Sequence, residues 1–405
     1  LDLAHQSWTG DIHLNQLASD HIDAHKIKSI RAQAFGHGSL NLAISLINVT
    51  LHNLPADMDP ATETSAEIIA ASEDGNTLIY SDSPLGAIGF VDITDMKAPA
   101  ALGIVTLDGE PTSVAVSGPK ALVGVNTSES YTAPSGFLGV VDIASRTLES
   151  QCDLGGQPDS VAVSPDGSIV AIAIENERDE ELNDGEIPQM PAGDLVIISL
   201  NDGVADCATI KHVAMTGFSE MVAPTDPEPE FVDINDDNEI VVTLQENNGI
   251  AIIDGNTGEV KNHFSAGTVD ISGVDIEKDG KLDFTGSLSG IAREPDTVKW
   301  LDNDRFAIAN EGDYKGGSRG FSIFSDAGEL LYDSGNSFER AVASIGHFPD
   351  KRADKKGVEP EGMIKGTFGD TNYLFVLSER ASVVGVYDDS AADGAGDGAA
   401  APAAL

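Results

Sequence analysis

Carboxylates recur in this chain at one fixed place relative to proline. Pro158-Asp159, Pro229-Glu230, Pro295-Asp296 and Pro360-Glu361 each open an apolar run, and Pro111-Thr112 opens another with a hydroxyl in the same place. These runs end in polar or acidic residues, adding Glu129, Glu177, Glu246, Glu311 and Glu379, with Asp313 just beyond Glu311. Gathered around one axis, such groups repel unless they are protonated or bound to cations. Calcium is the natural partner, because it takes about 6–8 oxygen ligands at flexible geometry and carboxylates are hard oxygen donors. Magnesium suits such a cage less well, and zinc would find only His212, His263 and His347 in this part of the chain. The candidate metal ligands are Asp159, Glu177, Glu230, Glu246, Asp296, Glu311, Asp313, Glu361 and Glu379. A plainer reading stands beside this one: acidic residues at strand ends are often solvated turn residues. Asp166-Gly167 and Asp236-Asp237-Asn238 read as hairpin turns, and no segment matches the twelve-residue calcium loop of an EF-hand.

A few cations stand next to these acids. Arg178 follows Glu177, Arg293 precedes Glu294, Lys315 and Arg319 follow Asp313, and Arg380 follows Glu379. Guanidinium groups beside metal-binding carboxylates suit an anionic small molecule such as a phosphoester, gripped by arginine and metal together. In that chemistry Glu230, Asp296 and Glu361 are the candidate catalytic groups, holding the ion that activates a water. Arg178, Arg293, Lys315, Arg319 and Arg380 would bind the substrate. Each cation could equally pair with its neighbouring acid. The Gly-x-Ser-x-Gly elbow of serine esterases and the Gly-x-x-x-x-Gly-Lys phosphate loop are both absent from the sequence.

The elements that must position these groups repeat with them. The phrase returns at prolines 111, 158, 229, 295 and 360, each time followed by short β-branched runs with Asp, Asn or Gly at the turns. An earlier unit around Glu67 to Ile93 brings the count to six. Units of this size with several strands each predict an all-β propeller, with residues 64–388 as its body and the Pro-acid phrase opening the innermost strand. The first spacing of 47 residues is one blade, whereas those of 71, 66 and 65 require insertions, read at 178–193, 267–292 and 333–357. Closure is expected through an early strand from residues 35–65, or else a seventh blade is missing. Residues 1–63 form an atypical segment, expected to be partly disordered or to supply that strand. It holds six of the nine histidines by residue 52, and His21 and His25 share a usable metal spacing without further ligands beside them. Residues 389–405 read as a low-complexity Ala/Gly/Asp tail.

Charge narrows the partners. With 23 basic and 67 acidic residues the net charge is −44, which repels nucleic acid and anionic membranes and attracts cations. A haloadapted or marine exported protein and a binder of several divalent ions both fit this balance. No apolar run approaches the roughly 20 residues of a membrane span. Cys152 and Cys207 are separated by about one blade, and a disulfide between them is expected if the protein is exported, although two buried thiols would look the same.

With these residues in view, the chain resembles the phytase-like exported bacterial β-propellers ("esterase-like activity of phytase"), which are related to choice-of-anchor and alkaline-phosphatase-like propellers. The motifs that carry the resemblance are Glu228-Pro-Glu-Phe-Val-Asp-Ile-Asn235, Arg293-Glu-Pro-Asp296, Ala309-Asn-Glu-Gly-Asp313, Gly357-Val-Glu-Pro-Glu-Gly362 and Ser378-Glu-Arg-Ala-Ser382. They cover roughly residues 64–388 and do not extend over residues 1–52. The resemblance implies a propeller, a secreted, periplasmic or cell-surface location, and calcium-dependent phosphoester hydrolysis. It also implies a chain that continues past the Ser-Glu-Arg-Ala-Ser blade. The alternative expectation is a non-catalytic, calcium-stabilised adhesion or ligand-binding propeller, since one fold hosts both roles. A basic patch at the channel mouth would favour the enzyme, and a negative mouth would favour cation binding.

Overall fold

Alternating β-branched residues between Asp- and Gly-marked turns form short antiparallel strands, and these build six small sheets around one axis. The computed structural model describes residues 62–389 and 403–404, and its architecture is a six-bladed propeller. Blade 1 contains β1 (Ile69–Ala71), β2 (Thr77–Asp82), β3 (Ala87–Asp92) and β4 (Ala100–Thr106). Blade 2 contains β5 (Glu110–Ser117), β6 (Lys120–Asn126), β7 (Gly136–Asp142) and β8 (Thr147–Asp153). In blade 3, β9 (Pro158–Val163), β10 (Ile169–Ile174) and β11 (Asp194–Asn201) carry an outer edge shared by β12 (Val204–Ala205) and β13 (Lys211–Ala214). Blade 4 runs through β14 (Pro229–Ile234), β15 (Glu239–Leu244), β16 (Gly249–Asp254) and β17 (Glu259–Ser265).

A separate hairpin, β18 (Thr268–Val274) and β19 (Gly286–Ala292), fills the insertion before blade 5. Blade 5 contains β20 (Val298–Trp300), β21 (Arg305–Ala309), β22 (Phe321–Ser325) and β23 (Leu330–Asp333). The insertion after it holds a short helix, α1 (Ser337–Ser344), which buries Phe338 and Val342 one turn apart. Blade 6 contains β24 (Pro360–Phe368), β25 (Thr371–Ser378), β26 (Val383–Asp388) and β27 (Ala403–Ala404).

The sequence reading ended the last blade at Asp388, whereas Ala403 and Ala404 pair with Asp388 and Tyr387 as its outer strand. The alanine-rich tail carries no alternation that would announce a strand. The His-rich residues 1–52, with His21 and His25, lie outside the described residues.

The middle of each blade's second strand is apolar because sheets pack on both of its faces, and in β10 the whole strand is. In β10, Ile169, Ala171 and Ala173 face blade 4, while Val170, Ile172 and Ile174 face blade 2. Truncating Ile172 to alanine would cost about 2–5 kcal/mol through the cavity left behind. Small hydroxyls stitch neighbouring innermost strands. The Val161 N–H donates to Ser113 Oγ and the Val232 N–H to Ser160 Oγ, while Thr243 Oγ1, on the second strand of blade 4, donates to the Asp296 carbonyl at the entry to blade 5. At the outer edge, Cys152 of β8 and Cys207 beside β12 are bonded to each other, joining blades 2 and 3 with Cα atoms 5.3 Å apart.

Candidate functional site

Proline explains how the carboxylates reach the axis. It has no N–H to give the sheet ladder, so it is tolerated where pairing is interrupted. In blades 2, 3, 4 and 6 the register shifts just after the proline: Pro111 opposes Val125, Pro158 opposes Ile174, Pro229 opposes Leu244 and Pro360 opposes Ser378, and pairing resumes only beyond a bulge. Thr112, Asp159, Glu230 and Glu361 occupy those bulges, and a bulge re-aims its side chain. In blade 5, Asp296 lies just ahead of β20.

Side-chain amides from the ends of second strands fix these entries. Asn176 Oδ1 accepts from the Gln157 N–H, Asn247 Oδ1 from the Glu228 N–H and Asn248 Oδ1 from the Glu294 N–H.

The ring divides into two neighbouring groups. One carboxylate oxygen from each of Glu311, Glu361 and Glu379 lies within 4.8 Å of the other two, and Gln245 Nε2 donates to Glu311 at 3.2 Å. Calcium–oxygen bonds of about 2.3–2.6 Å put two ligands of one ion at most about 5 Å apart, so these three oxygens fit a single ion. Among the described residues, no histidine or cysteine stands beside these three carboxylates. Both described cysteines are bonded to each other, and His212, His263 and His347 meet Asp194, Glu220 and the Ala381 carbonyl.

The second group surrounds Arg178. Its Nη1 donates to Glu246 at 2.6 Å and lies 3.9 Å from Glu228, while Nη2 donates to Asp313. Burial opposes the Arg178 charge, but Glu246, Asp313 and Glu228 outweigh it and hold the guanidinium protonated. Glu228 and Glu246 are 1% and 2% exposed, and Glu228 Oε1 and Glu246 Oε2 have no hydrogen-bond partner. Burial pushes Glu228 up to about 7 against the pull of Arg178. Glu246 rises well above the usual carboxylate range, through burial first and then through Glu228 and Asp313. Burial also works against Asp313, but Arg178 and Lys356 hold its carboxyl below the usual range.

Glu175 and Glu230 keep a partial opening along the channel, and both are pushed well above the ordinary range by burial and then by Asp159 and other ring carboxylates. Glu177 is raised chiefly by burial. Burial first, and then neighbouring carboxylates, favour the protonated form of these groups unless a cation meets them.

Part of that mouth is crossed by residues 178–193, between β10 and β11. Glu186 accepts from Tyr314 Oη at 2.6 Å and from Lys315 Nζ at 2.9 Å, both in blade 5, and the Gln189 N–H donates to Asp226. The strap returns through Gly193, where an added Cβ would lie 2.1 Å from the Ile174 carbonyl and 2.7 Å from Pro229 Cδ. The sequence showed this insertion as a charged loop; its reach over blade 4 to blade 5 depends on pairs 128–135 residues apart.

The expected substrate-binding cations are dispersed. Arg178 is enclosed within the acid group, and Lys315 is exposed and holds Glu186. Arg293 is 4% exposed and donates to Asp333 and to the Ala266 carbonyl. Arg319 is 1% exposed and donates to the carbonyls of Asp275, Ala353 and Lys355, drawing the β18–β19 hairpin and the loop after α1 together, with Glu339 of α1 at 3.3 Å. Gly357 gives this junction its room, since a Cβ there would meet Glu339 Oε2 at 2.3 Å. Arg380 stays close to the ring, donating to Glu359 and Glu379.

Of the expected metal ligands, Glu311, Glu361 and Glu379 come together in one group and Glu246 and Asp313 in the other. Glu230, Asp159 and Asp296 line the ring between them. Glu177 sits at its edge, where Gln157 donates to it. Glu129 is exposed on the loop beyond β6, and Asp166 is a hairpin-turn residue accepting from the Ser168 N–H and Asn238. Three ring carboxylates were not singled out as ligands: Glu175, Glu228 and Glu359. Their signal was present, since each belongs to the repeated phrase or to a polar strand end. Glu359 is gripped by Arg352 and Arg380, so the basic stretch at 351–356 rests against the acid mouth.

Comparison with known proteins agrees with this architecture. A structure of RRP9 WD40 repeats superposes with a TM-score of 0.53 at 7% identity, covering 84% of this chain and 78% of that one. Hydrazine synthase from Kuenenia stuttgartiensis gives 0.50 at 16% identity over 83% and 80% of the two chains. At such identities the likeness concerns the fold alone. No curated protein matches the chain by sequence. The family model of the choice-of-anchor I domain matches residues 67–316 and 314–392, which include the acid ring and every blade strand but the outermost of blade 6. The chain belongs to the choice-of-anchor I domain family.

Proposed function

We propose that this protein is a calcium-binding propeller of the cell surface, a ligand-binding module whose acid-lined mouth is completed by divalent ions. The observation that carries the reading is the convergence of Glu311, Glu361 and Glu379 within one ion's reach. The buried, unpartnered oxygens of Glu228 and Glu246 support it, because such atoms are costly unless a cation or proton meets them. A surface location is supported by the family and by the Cys152–Cys207 bond, which suits an oxidising compartment. Among the described residues no helix is long and apolar enough to cross a membrane.

Phosphoester hydrolysis at the same mouth is a second reading, favoured by one observation. Arg380 is 42% exposed at the side chain and lies against Glu379, where it could bind a phosphate oxygen beside the ion. The engagement of Arg293 and Arg319 elsewhere weighs against that reading.

Thermal unfolding with calcium and with EGTA, alongside hydrolysis of p-nitrophenyl phosphate and phytate, separates the two. The binding module predicts a calcium-dependent rise in melting temperature, lost in Glu311→Gln/Glu361→Gln, and no turnover. Calcium-dependent phosphate release that disappears in Arg380→Ala would replace it with the hydrolase. An unchanged melting temperature with no turnover would sink both.

A further inference from the structure

Calcium takes about 6–8 oxygen ligands, and Glu311, Glu361 and Glu379 each bring one oxygen within reach of a single ion. All three residues are partly exposed, so solvent or a ligand can reach the ion's remaining positions. The turn between β25 and β26 sets a cation beside them. Its backbone is pinned at three points: the Glu379 N–H donates to the Glu359 carbonyl, the Ala381 N–H to Ser378 Oγ and the Ser382 N–H to the Glu379 carbonyl. Arg380 projects from this turn with Nε on Glu359 at 3.0 Å and Nη1 on Glu379 at 2.8 Å. Its Nη2 meets no acceptor among the described residues, and the side chain is 42% exposed. Glu359 is 1% exposed and is also gripped by Arg352 at 2.5 and 2.8 Å, so its role is to orient Arg380.

Charge selects the ligand class. Four carboxylates, Glu311, Glu359, Glu361 and Glu379, face two guanidiniums, Arg352 and Arg380, and a divalent ion makes up the difference. A doubly charged phosphoester would bring two negative charges back, next to the acid group around Arg178. A neutral hydroxyl would reach the ion but give the guanidinium only an uncharged acceptor. A carboxylate brings a single charge and two coplanar oxygens, one for the ion and one for Nη2. We propose that the calcium-loaded mouth binds a small carboxylate, with one oxygen on the ion and the other on Arg380. This inference rests on the calcium reading and adds the class of ligand that the module takes.

The full chain is titrated at pH 8, with calcium and in EGTA, against glucuronate and N-acetylaspartate amide. Glucose, N-acetylasparagine amide and glycerol phosphate serve as comparisons. Ligand binding is followed by ligand-observed NMR, and calcium binding separately by calorimetry. The expected result is that a carboxylate binds with calcium and not in EGTA, that its uncharged analogue does not bind, and that glycerol phosphate binds more weakly. A response to glucuronate alone makes the ligand a sugar acid; a response to N-acetylaspartate amide alone makes it an amino-acid carboxylate. Arg380→Gln leaves Glu359 paired with Arg352 and removes no ligand of the ion. It should bind calcium still, and bind the carboxylate about tenfold more weakly or worse, the loss expected of one hydrogen bond to a charged group. Calcium binding without a carboxylate response, binding that persists in EGTA, undiminished binding to Arg380→Gln, or tighter binding of glycerol phosphate would each overturn the inference and leave the calcium module standing. Absence of calcium binding would remove the module and this inference with it.

Discussion

Replacing Arg178 with methionine tests whether the acid mouth is held together by one internal cation. The guanidinium is 5% exposed at the side chain, 2.6 Å from Glu246, 3.9 Å from Glu228 and bonded to Asp313, and methionine keeps most of the packing. Removing one partner from a buried ionic group costs about 3–5 kcal/mol, because the remaining charges are left uncompensated. That cost must depend on pH. A carboxyl whose folded pKa is raised contributes stability that is full below its unfolded pKa of about 4.3 and is lost as pH rises through the folded value. Glu228 already stands at about 7 with Arg178 present. Without the arginine the window extends further upward. Urea unfolding in EGTA should therefore show a large loss at pH 8 that shrinks at pH 5. The strap should also loosen, so that a glutamate-specific protease cuts faster at the already exposed Glu180, Glu181 and Glu186. A loss under about 1 kcal/mol at pH 8, or one equal at both pH values, would refute the reasoning.

Cys152→Ser/Cys207→Ser should cost about 4 kcal/mol in urea unfolding, the loop-closure value for a separation of 55 residues, and no measurable change would mean that blades 2 and 3 dock without the link. In the wild-type protein, Glu228 and Glu339 both stand at about 7 because burial raises them, and they are 1% and 0% exposed. Stability in EGTA should accordingly rise by a few kcal/mol between pH 8 and pH 5, and a flat profile would contradict the account. Arg319→Met should destabilise the protein by about 3–5 kcal/mol and open the segment at 345–357 to proteolysis while calcium binding survives; losing calcium binding instead would place Arg319 in the site.

The blades were legible because each second strand is enclosed on both faces and needs an apolar middle, which in Ile169 to Ile174 extends over the whole strand. The ring was legible for a different reason: in blades 2, 3, 4 and 6 proline interrupts the ladder at the same point, so the residue after it occupies the same bulge. Glu246, Glu311 and Glu379 could be read from the polar ends of the apolar runs. Arg319 could not, since its partners at Asp275, Ala353 and Lys355 belong to two insertions whose meeting no local pattern encodes. The reach of the strap from Glu186 to Tyr314 is of the same kind, as is the pairing of Ala403 and Ala404 with blade 6. The motifs resembled phytase-like propellers, and the family match is to the related choice-of-anchor I domain. The carboxylates fit that family's propeller without specifying a reaction.

The most direct test of the calcium module is a calorimetric titration of calcium into the EGTA-stripped, dialysed protein at pH 8, beside Glu311→Gln/Glu361→Gln. The account predicts at least one calcium bound per chain by the wild type and loss of the strongest site in the variant, with the fold retained by circular dichroism. No binding to the wild type at millimolar calcium, or undiminished binding to the folded variant, would contradict it.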